Sequence, residues 1–276
     1  MYPAVFGRTY PGTDACDVLD TAAADGFCGV QFNLASAGLG SLPDHLPDGL
    51  AEAVGRHARQ KQLQIAALSG TYNMAHPDGS EREASRKGFA NVMEAARRMG
   101  SPVVTLCSGS RNASDMWKHH PENRSAAAWR DLRTELDFAL ELAEGAGIQL
   151  GIEPEPGNVI CDTCTAERLL KEVASPHLGI VLDAANLLSP ATLAQQDEVM
   201  EKAAGLLGEK LLLAHAKDIA PDGSVVAAGA GAVHLGVFVK LLHSSGFDGA
   251  LVGHGFGPDK GRAVSTTLAA LIQAHA

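Results

Sequence analysis

The chain has no excess of positive charge. Over 276 residues, 22 Lys and Arg stand against 32 Asp and Glu, a formal net charge of −10. An acidic surface counts against a nucleic-acid or anionic-membrane partner, because both select a basic face, although a local basic pocket stays compatible with it. Long apolar runs are missing too: none approaches the roughly 20 residues that a membrane helix needs. The stretch MYPAVFGRTYPG has no basic segment followed by an apolar core, so no secretory signal is expected. Cysteine is scarce, five residues and an odd number. That fits a reducing compartment, and a cytoplasmic location is the expectation. The single C-x-x-C, Cys161 to Cys164, has no second pair beside it and is expected to be incidental. No linker or low-complexity stretch divides the chain, so residues 1–276 are read as one domain.

What is present is an alternation. Short apolar runs, many rich in β-branched residues, fall near 3–7, 29–34, 63–68, 102–107, 148–153, 178–183, 211–216 and 249–254. Between and after them come helical patterns near 14–25, 48–61, 80–99, 124–146, 164–174, 191–208, 235–245 and 262–275. Several of these carry apolar residues at three- and four-residue spacing. Gly26, Gly100 and Gly147 stand where C-terminal helix caps belong. Eight strands alternating with eight helices predict a (β/α)8 TIM barrel. A doubly wound sheet would use fewer strands at this length, and no G-x-G-x-x-G follows the first strand. The longest irregular pieces, 69–79, 107–123 and 217–234, all follow strands, on the face where barrel enzymes carry their active sites.

A barrel of this kind should bear a ring of polar side chains at its C-terminal strand ends. Strand two ends at Gln31 and Asn33, strand three leads to Tyr72, Asn73 and His76, and strand four to Ser108, Arg111 and then His119 and His120. Strands five to eight end at Glu153, Asp183, His215 and His254. Alternate residues of a strand share a face. Glu153 has the parity of Gly151, Asp183 of Val181, His215 of Leu213 and His254 of Val252, so all four can point into the barrel. Carboxylates and imidazoles converging with open positions suit Mn²⁺, Mg²⁺, Co²⁺, Zn²⁺ or Fe²⁺. Each residue also has a competing structural role. Asp183 precedes AANLL, where it would cap a turn; His215 would be a core histidine bonded to backbone; His254 lies between glycines and would serve its loop. His119 and His120 are expected to be solvated. Strand five closes with GIEPEPGNVI, in which Pro154 and Pro156 cannot donate to a ladder and hold the exit extended. Glu153 is the carboxylate expected to face the metal, with Glu155 beyond the regular strand.

The segments GIEPEPGN, GIVLDAANLL, LLLAHAKD and GFDGALVGHG stand in that order at the ends of strands five to eight, and GTYNMAHPD follows strand three. Together they resemble the sugar phosphate isomerase/epimerase superfamily, the xylose isomerase-like TIM barrels that include endonuclease IV. The resemblance covers nearly the whole chain. It implies a divalent metal held by a Glu, an Asp, a His and a second Glu from strands five to eight. By motif the first three are Glu153, Asp183 and His215. The fourth departs, since aligning GALVGH on G-x-L-V-x-E puts His254 where the second Glu belongs. Asn186 stands where epimerases usually carry a substrate-contacting His, and Lys217 and Asp218 complete H-x-K-D.

The implied chemistry is removal of a proton beside a carbonyl by one glutamate and its return by the other, through an enediolate that the metal stabilises. His254 keeps a ligand and a base but changes the charge at the metal by one unit, which breaks the two-glutamate symmetry. The expectation is a metal-dependent isomerase or epimerase of a sugar, keto-sugar or polyol-derived substrate, with Glu153 and His254 catalytic. Arg8, Asn33, His76, Arg111, Glu155, Asn186 and Lys217 are candidate substrate contacts, the arginines for an anionic group. An inosose-type dehydratase and a non-catalytic sugar-binding barrel are the alternatives. An endonuclease IV-like phosphodiesterase fits poorly with the negative charge. Barrels of this type often pair, so a homodimer is a further expectation.

Overall fold

Parallel strands without edges are what the alternation of apolar runs and amphipathic stretches builds here. The computed structural model describes residues 1–275. Strands β1 (Tyr2–Phe6), β2 (Gly29–Phe32), β3 (Gln64–Ser69), β4 (Val103–Cys107), β5 (Gln149–Glu153), β6 (Leu178–Asp183) and β7 (Leu211–His215) lie side by side in chain order. A short antiparallel pair, β8 (Asp218–Ile219) and β9 (Val225–Val226), follows, and β10 (Ala250–Gly253) then closes the barrel between β7 and β1. The helices outside are α1 (Ala15–Ala24), α2 (Leu50–Gln60), α3 (Gly79–Met99), α4 (Ala126–Ala146), α5 (Thr163–Val173), α6 (Gln196–Leu207), α7 (Leu235–Ser244) and α8 (Gly261–Ala274).

The strand residues divide by parity into two cores. Ala4, Ala66, Ala67, Val103, Val181, Leu213, Ala250 and Val252 form a cluster that fills the barrel interior. Their neighbours Val5, Val104, Leu150, Ile180, Ala214 and Leu251 belong to the larger cluster beneath the helices. Val181, Leu213 and Val252 share parity with Asp183, His215 and His254, so the polar strand ends continue the inward-facing columns. Parallel pairing sets Cys107 beside Glu153 and Asp183 beside His215. The last residues of neighbouring strands therefore meet at one end of the barrel.

Local chemistry fixes the helix ends. The carboxylates of Asp14, Asp78 and Asp162 and the Ser125 hydroxyl accept first-turn N–H groups of α1, α3, α5 and α4. Such caps contribute about 1 kcal/mol each. Gly100 and Gly147 take left-handed conformations and end α3 and α4, as expected. Two features differ from the sequence reading. Helix α6 begins at Gln196 rather than near 191, because the Thr192 hydroxyl accepts the Ser189 N–H at 2.8 Å and holds that segment as a turn. The piece 217–234 carries the β8–β9 hairpin, whose two-residue strands are too short to leave a period in the sequence.

Candidate functional site

Glu153, Asp183 and His215 are the terminal residues of β5, β6 and β7, and His254 follows β10 directly. One oxygen or nitrogen from each of the four lies within 4.8 Å of the others. The Glu153 Oε1 accepts from Asn186 Nδ2 at 2.8 Å and stands 3.2 Å from His215 Nδ1. Asp183 fills both roles considered for it. Its Oδ1 accepts the Ala185 N–H at 2.9 Å, capping the turn, while Oδ2 faces Lys217 Nζ at 3.2 Å and His254 Nε2 at 3.4 Å. Among the described residues the His215 ring bonds side chains rather than backbone; its Nε2 lies 2.7 Å from Gln31 Oε1. The His215 and His254 rings meet edge to face, centroids 4.7 Å apart. Two carboxylates and two imidazoles with one side open form a donor set that fits a divalent cation such as Zn²⁺, Mn²⁺, Co²⁺ or Fe²⁺.

The charges respond to this crowding. Burial works to raise the Glu153 carboxyl, yet the imidazole of His215 prevails and holds it below the usual range. Burial also opposes the Asp183 charge, but Lys217 and His254 beside it bring that carboxyl down to about 2. For Glu155, burial and then the Glu153 charge outweigh the pull of Lys217 and Asn186 and push the carboxyl up to about 7. For His215, burial works downward and the Glu153 carboxylate outweighs it, so the imidazole pKa rises. Burial lowers His254, leaving a neutral ring. Lys217 stays charged, since Asp183, Glu153 and Glu155 overcome its desolvation.

Above these groups opens a cavity of about 380 Å³, within the roughly 300–1,000 Å³ usual for small-molecule sites. Glu153, Glu155, His215 and His254 line it with Gln31 and Asn33. Asn186 and Lys217 stand behind the donors, bonded to each other and to Glu153 and Asp183. The remaining expected contacts lie elsewhere. Arg8 is exposed in the turn after β1. Arg111 is buried and its guanidinium pairs with Asp131 of α4 at 2.7 Å and donates to the Ala75 carbonyl at 3.3 Å. His76 Nε2 bonds the Ala113 carbonyl at 3.2 Å. These two side chains tie the loops after β3 and β4 together and do not line the cavity. His120 caps a short turn through its Nδ1. Cys161 and Cys164 are free thiols, and Cys164 accepts from Lys202 Nζ at 3.3 Å.

A family model described as xylose isomerase-like TIM barrel matches residues 19–272. The chain belongs to that family. The fold of this xylose isomerase-like barrel is shared by a D-tagatose 3-epimerase-like protein, at 17% identity and TM-score 0.78 over 100% of this chain and 98% of that one. The 3-keto-D-glucoside 4-epimerase of E. coli, in apo form, gives 16% identity and TM-score 0.77, with 99% of each chain covered. The IolI protein, in a structure with a bound zinc atom, gives 16% identity and TM-score 0.73 over 100% of this chain and 99% of that one. No curated protein sequence matches the chain.

Several residues lining the cavity of this xylose isomerase-like barrel escaped the sequence reading. Ser69, Thr105 and Cys107 end β3 and β4 with inward parity, and Thr71 and Ser41 come from loops. Met116 and Trp117 overhang the opening from the 107–123 loop. Asparagines hold that loop in shape. Asn158 accepts the Gly109 N–H at 2.8 Å and donates to the Met116 carbonyl at 2.9 Å; Asn73 exchanges two bonds with the Ser110 backbone. Strand-end parity could have found Thr105 and Cys107, whereas nothing in a single sequence marks which loop residue faces inward.

Proposed function

We propose that this barrel is a divalent-metal-dependent isomerase or epimerase acting on an uncharged, polyhydroxylated keto-sugar or polyol-derived ketone. The observation that carries the reading is the convergence of Glu153, Asp183, His215 and His254 at the floor of a cavity whose walls are hydroxyls, amides and an indole. No Arg or Lys among the described residues lines that cavity. A phosphate or carboxylate would find Glu155 and no Arg or Lys on the cavity wall, so a neutral substrate is favoured. Its hydroxyls have partners in Gln31, Asn33, Ser69, Thr71 and Thr105, and the exposed Trp117 offers an apolar face to a sugar ring. Similarity in fold to sugar epimerases supports the same class.

Glu153, Asp183, His215 and His254 would hold the metal, which supplies polarisation of a substrate carbonyl and stabilisation of the enediolate formed beside it. Lys217 and Asn186 fix the two carboxylates. Glu155, protonated for about half the molecules near neutrality, is suited to give or take a proton at the cavity wall. His254, neutral, has one lone pair, which serves as a metal ligand or as a base but not as both at once. The loss of the second glutamate favours a second reading, in which one-sided proton abstraction leads to loss of water, as in inosose-type dehydratases.

Purified protein would be assayed for bound metal and for turnover of a panel of free ketoses and inososes, with products weighed by mass spectrometry. Unchanged mass supports isomerisation, and loss of one water supports dehydration. Both readings fall if the protein binds no divalent metal and if Glu153→Gln and His215→Ala leave turnover unaltered.

A further inference from the structure

We propose that a second cavity, between the start of α4 and the start of α5, is a binding site for a small phosphorylated metabolite. The proposal depends neither on the metal nor on the activity assigned above. This cavity has a volume of about 510 Å³ and shares no lining residue with the one above the Glu153 cluster. Its walls carry three guanidinium groups, those of Arg124, Arg130 and Arg168, and the His119 imidazole. Asp162 is the one carboxylate among the described lining residues, and it is committed to capping α5. Its Oδ1 accepts the Thr165 N–H at 2.8 Å and the Thr165 hydroxyl at 2.9 Å. In a chain of net charge −10, the cavity is therefore a local excess of positive charge.

Among the described residues Arg124 and Arg130 form no ion pair. Arg168 is partly committed: its Nε pairs with Glu172 at 2.7 Å, and its guanidinium carbon lies 3.8 Å from the centre of the Trp129 ring. The first turn of α4 holds no acidic residue, so the helix dipole adds to the positive field of the arginines instead of meeting a carboxylate. The wall behind these groups is fixed. Buried Asn123 donates to the Gly157 carbonyl at 2.8 Å, and Trp129 Nε1 donates to Glu172 at 2.8 Å. Guanidinium groups match the oxygens of a phosphate two at a time. A phosphate monoester brings roughly −1.5 to −2 charges and three acceptor oxygens at neutral pH, enough for both unpaired arginines, where a single carboxylate would satisfy one. The volume leaves room for an organic body against the Trp129 indole, and it lies within the roughly 300–1,000 Å³ usual for small-molecule sites. All three arginines reach solvent, so the cavity is open to a ligand from solution.

The test uses full-length protein treated with EDTA and dialysed, so that phosphate meets no cation. The chain has two tryptophans, and Trp117→Phe leaves Trp129 as the sole fluorescent reporter. Its emission is titrated with inorganic phosphate and with glycerol 3-phosphate, at an ionic strength held constant with NaCl. The expected result is a saturable change with both, tighter for the ester. Arg124→Gln and Arg130→Gln should each weaken binding roughly 5–10-fold, as for loss of one charge-assisted hydrogen bond at an exposed site, and the double variant should abolish saturation. Arg130→Lys keeps the charge without the planar fork and should fall between. Glu155→Gln, in the other cavity, should leave the affinity unchanged. A response no larger than that to NaCl, an affinity unmoved by the double variant, or one moved more by Glu155→Gln than by the arginine variants would overturn the proposal. Binding of tetraglutamate in place of both phosphates would overturn it too, in favour of a surface for an acidic protein segment. If a glutamine variant does not fold, Arg124→Lys with Arg130→Lys decides, since unchanged phosphate affinity in that protein excludes recognition by the guanidinium forks.

Discussion

Glu155 should make the protein less stable as pH rises, and its replacement by glutamine should remove that loss. Its carboxyl is pushed up to about 7 by burial and by the neighbouring Glu153 charge. In an unfolded chain a glutamate titrates near 4.3. Between these values the folded state binds the proton that the unfolded state has released, so stability falls with rising pH over the window from about 4.3 to 7 and is flat above it. The rise from about 4.3 to about 7 corresponds to roughly 3.7 kcal/mol, at about 1.36 kcal/mol per pH unit. Partial exposure and water screening reduce this to about 1–2 kcal/mol. Glutamine has the shape of the protonated acid and cannot ionise. The assay is urea unfolding of wild-type protein and Glu155→Gln at pH 5 and pH 8, both with EDTA. At pH 5 the two should differ little; at pH 8 the variant should be more stable by about 1–2 kcal/mol. A gap that is equal at the two pH values, or that favours wild type at pH 8, refutes the assigned environment of Glu155.

Arg111→Met should destabilise the protein by about 1–3 kcal/mol in urea unfolding, since it leaves the Ala75 carbonyl without its buried donor and leaves the partly exposed Asp131 with Arg82 alone, at 3.3 Å. Faster amide exchange confined at first to residues 107–123 would accompany it, while an unchanged urea midpoint would argue against a structural role. Trp117→Ala should change stability by less than about 1 kcal/mol, because the indole is 53% exposed. On the proposed function it should instead raise KM for the active sugar with little effect on kcat, measured by steady-state kinetics.

The barrel and the convergence of its polar strand ends were legible in the sequence for the same reason. A strand buried on both faces has a period of two, and a barrel brings every strand end to one rim, so parity and position together picked out Glu153, Asp183, His215 and His254 as neighbours. What parity could not supply was the partner of each loop residue. Arg111 reads as an anion contact in isolation; its partner is Asp131 on α4, which takes the guanidinium out of the cavity. Gln31 was visible as a polar strand end, yet its three partners come from β3, β4 and β7, and only the closed sheet brings them together. Trp117 sits in a loop with no period at all. Asp183 shows that two readings of one residue need not compete, since its two oxygens cap the turn and face the cluster separately.

The charge balance of the site bears on why a histidine can stand at residue 254. Lys217 offsets Asp183, the raised His215 imidazole offsets Glu153, and Glu155 is about half protonated near neutrality. Protons and one ammonium thus occupy the electrostatic position of a divalent ion. On the proposed function, a divalent cation would compete with the protons of His215 and Glu155, so its affinity would rise with pH through the range where these groups ionise. A glutamate at residue 254 would add a third carboxylate beside Asp183 and Glu153, with only Lys217 as a permanent counter-charge. His254 is held neutral by burial and offers its lone pair without that repulsion. The exchange reduces the repulsion among the carboxylates, and it makes the two titratable groups on the cavity wall chemically unlike, a carboxyl titrating near neutrality at Glu155 and a neutral imidazole at His254.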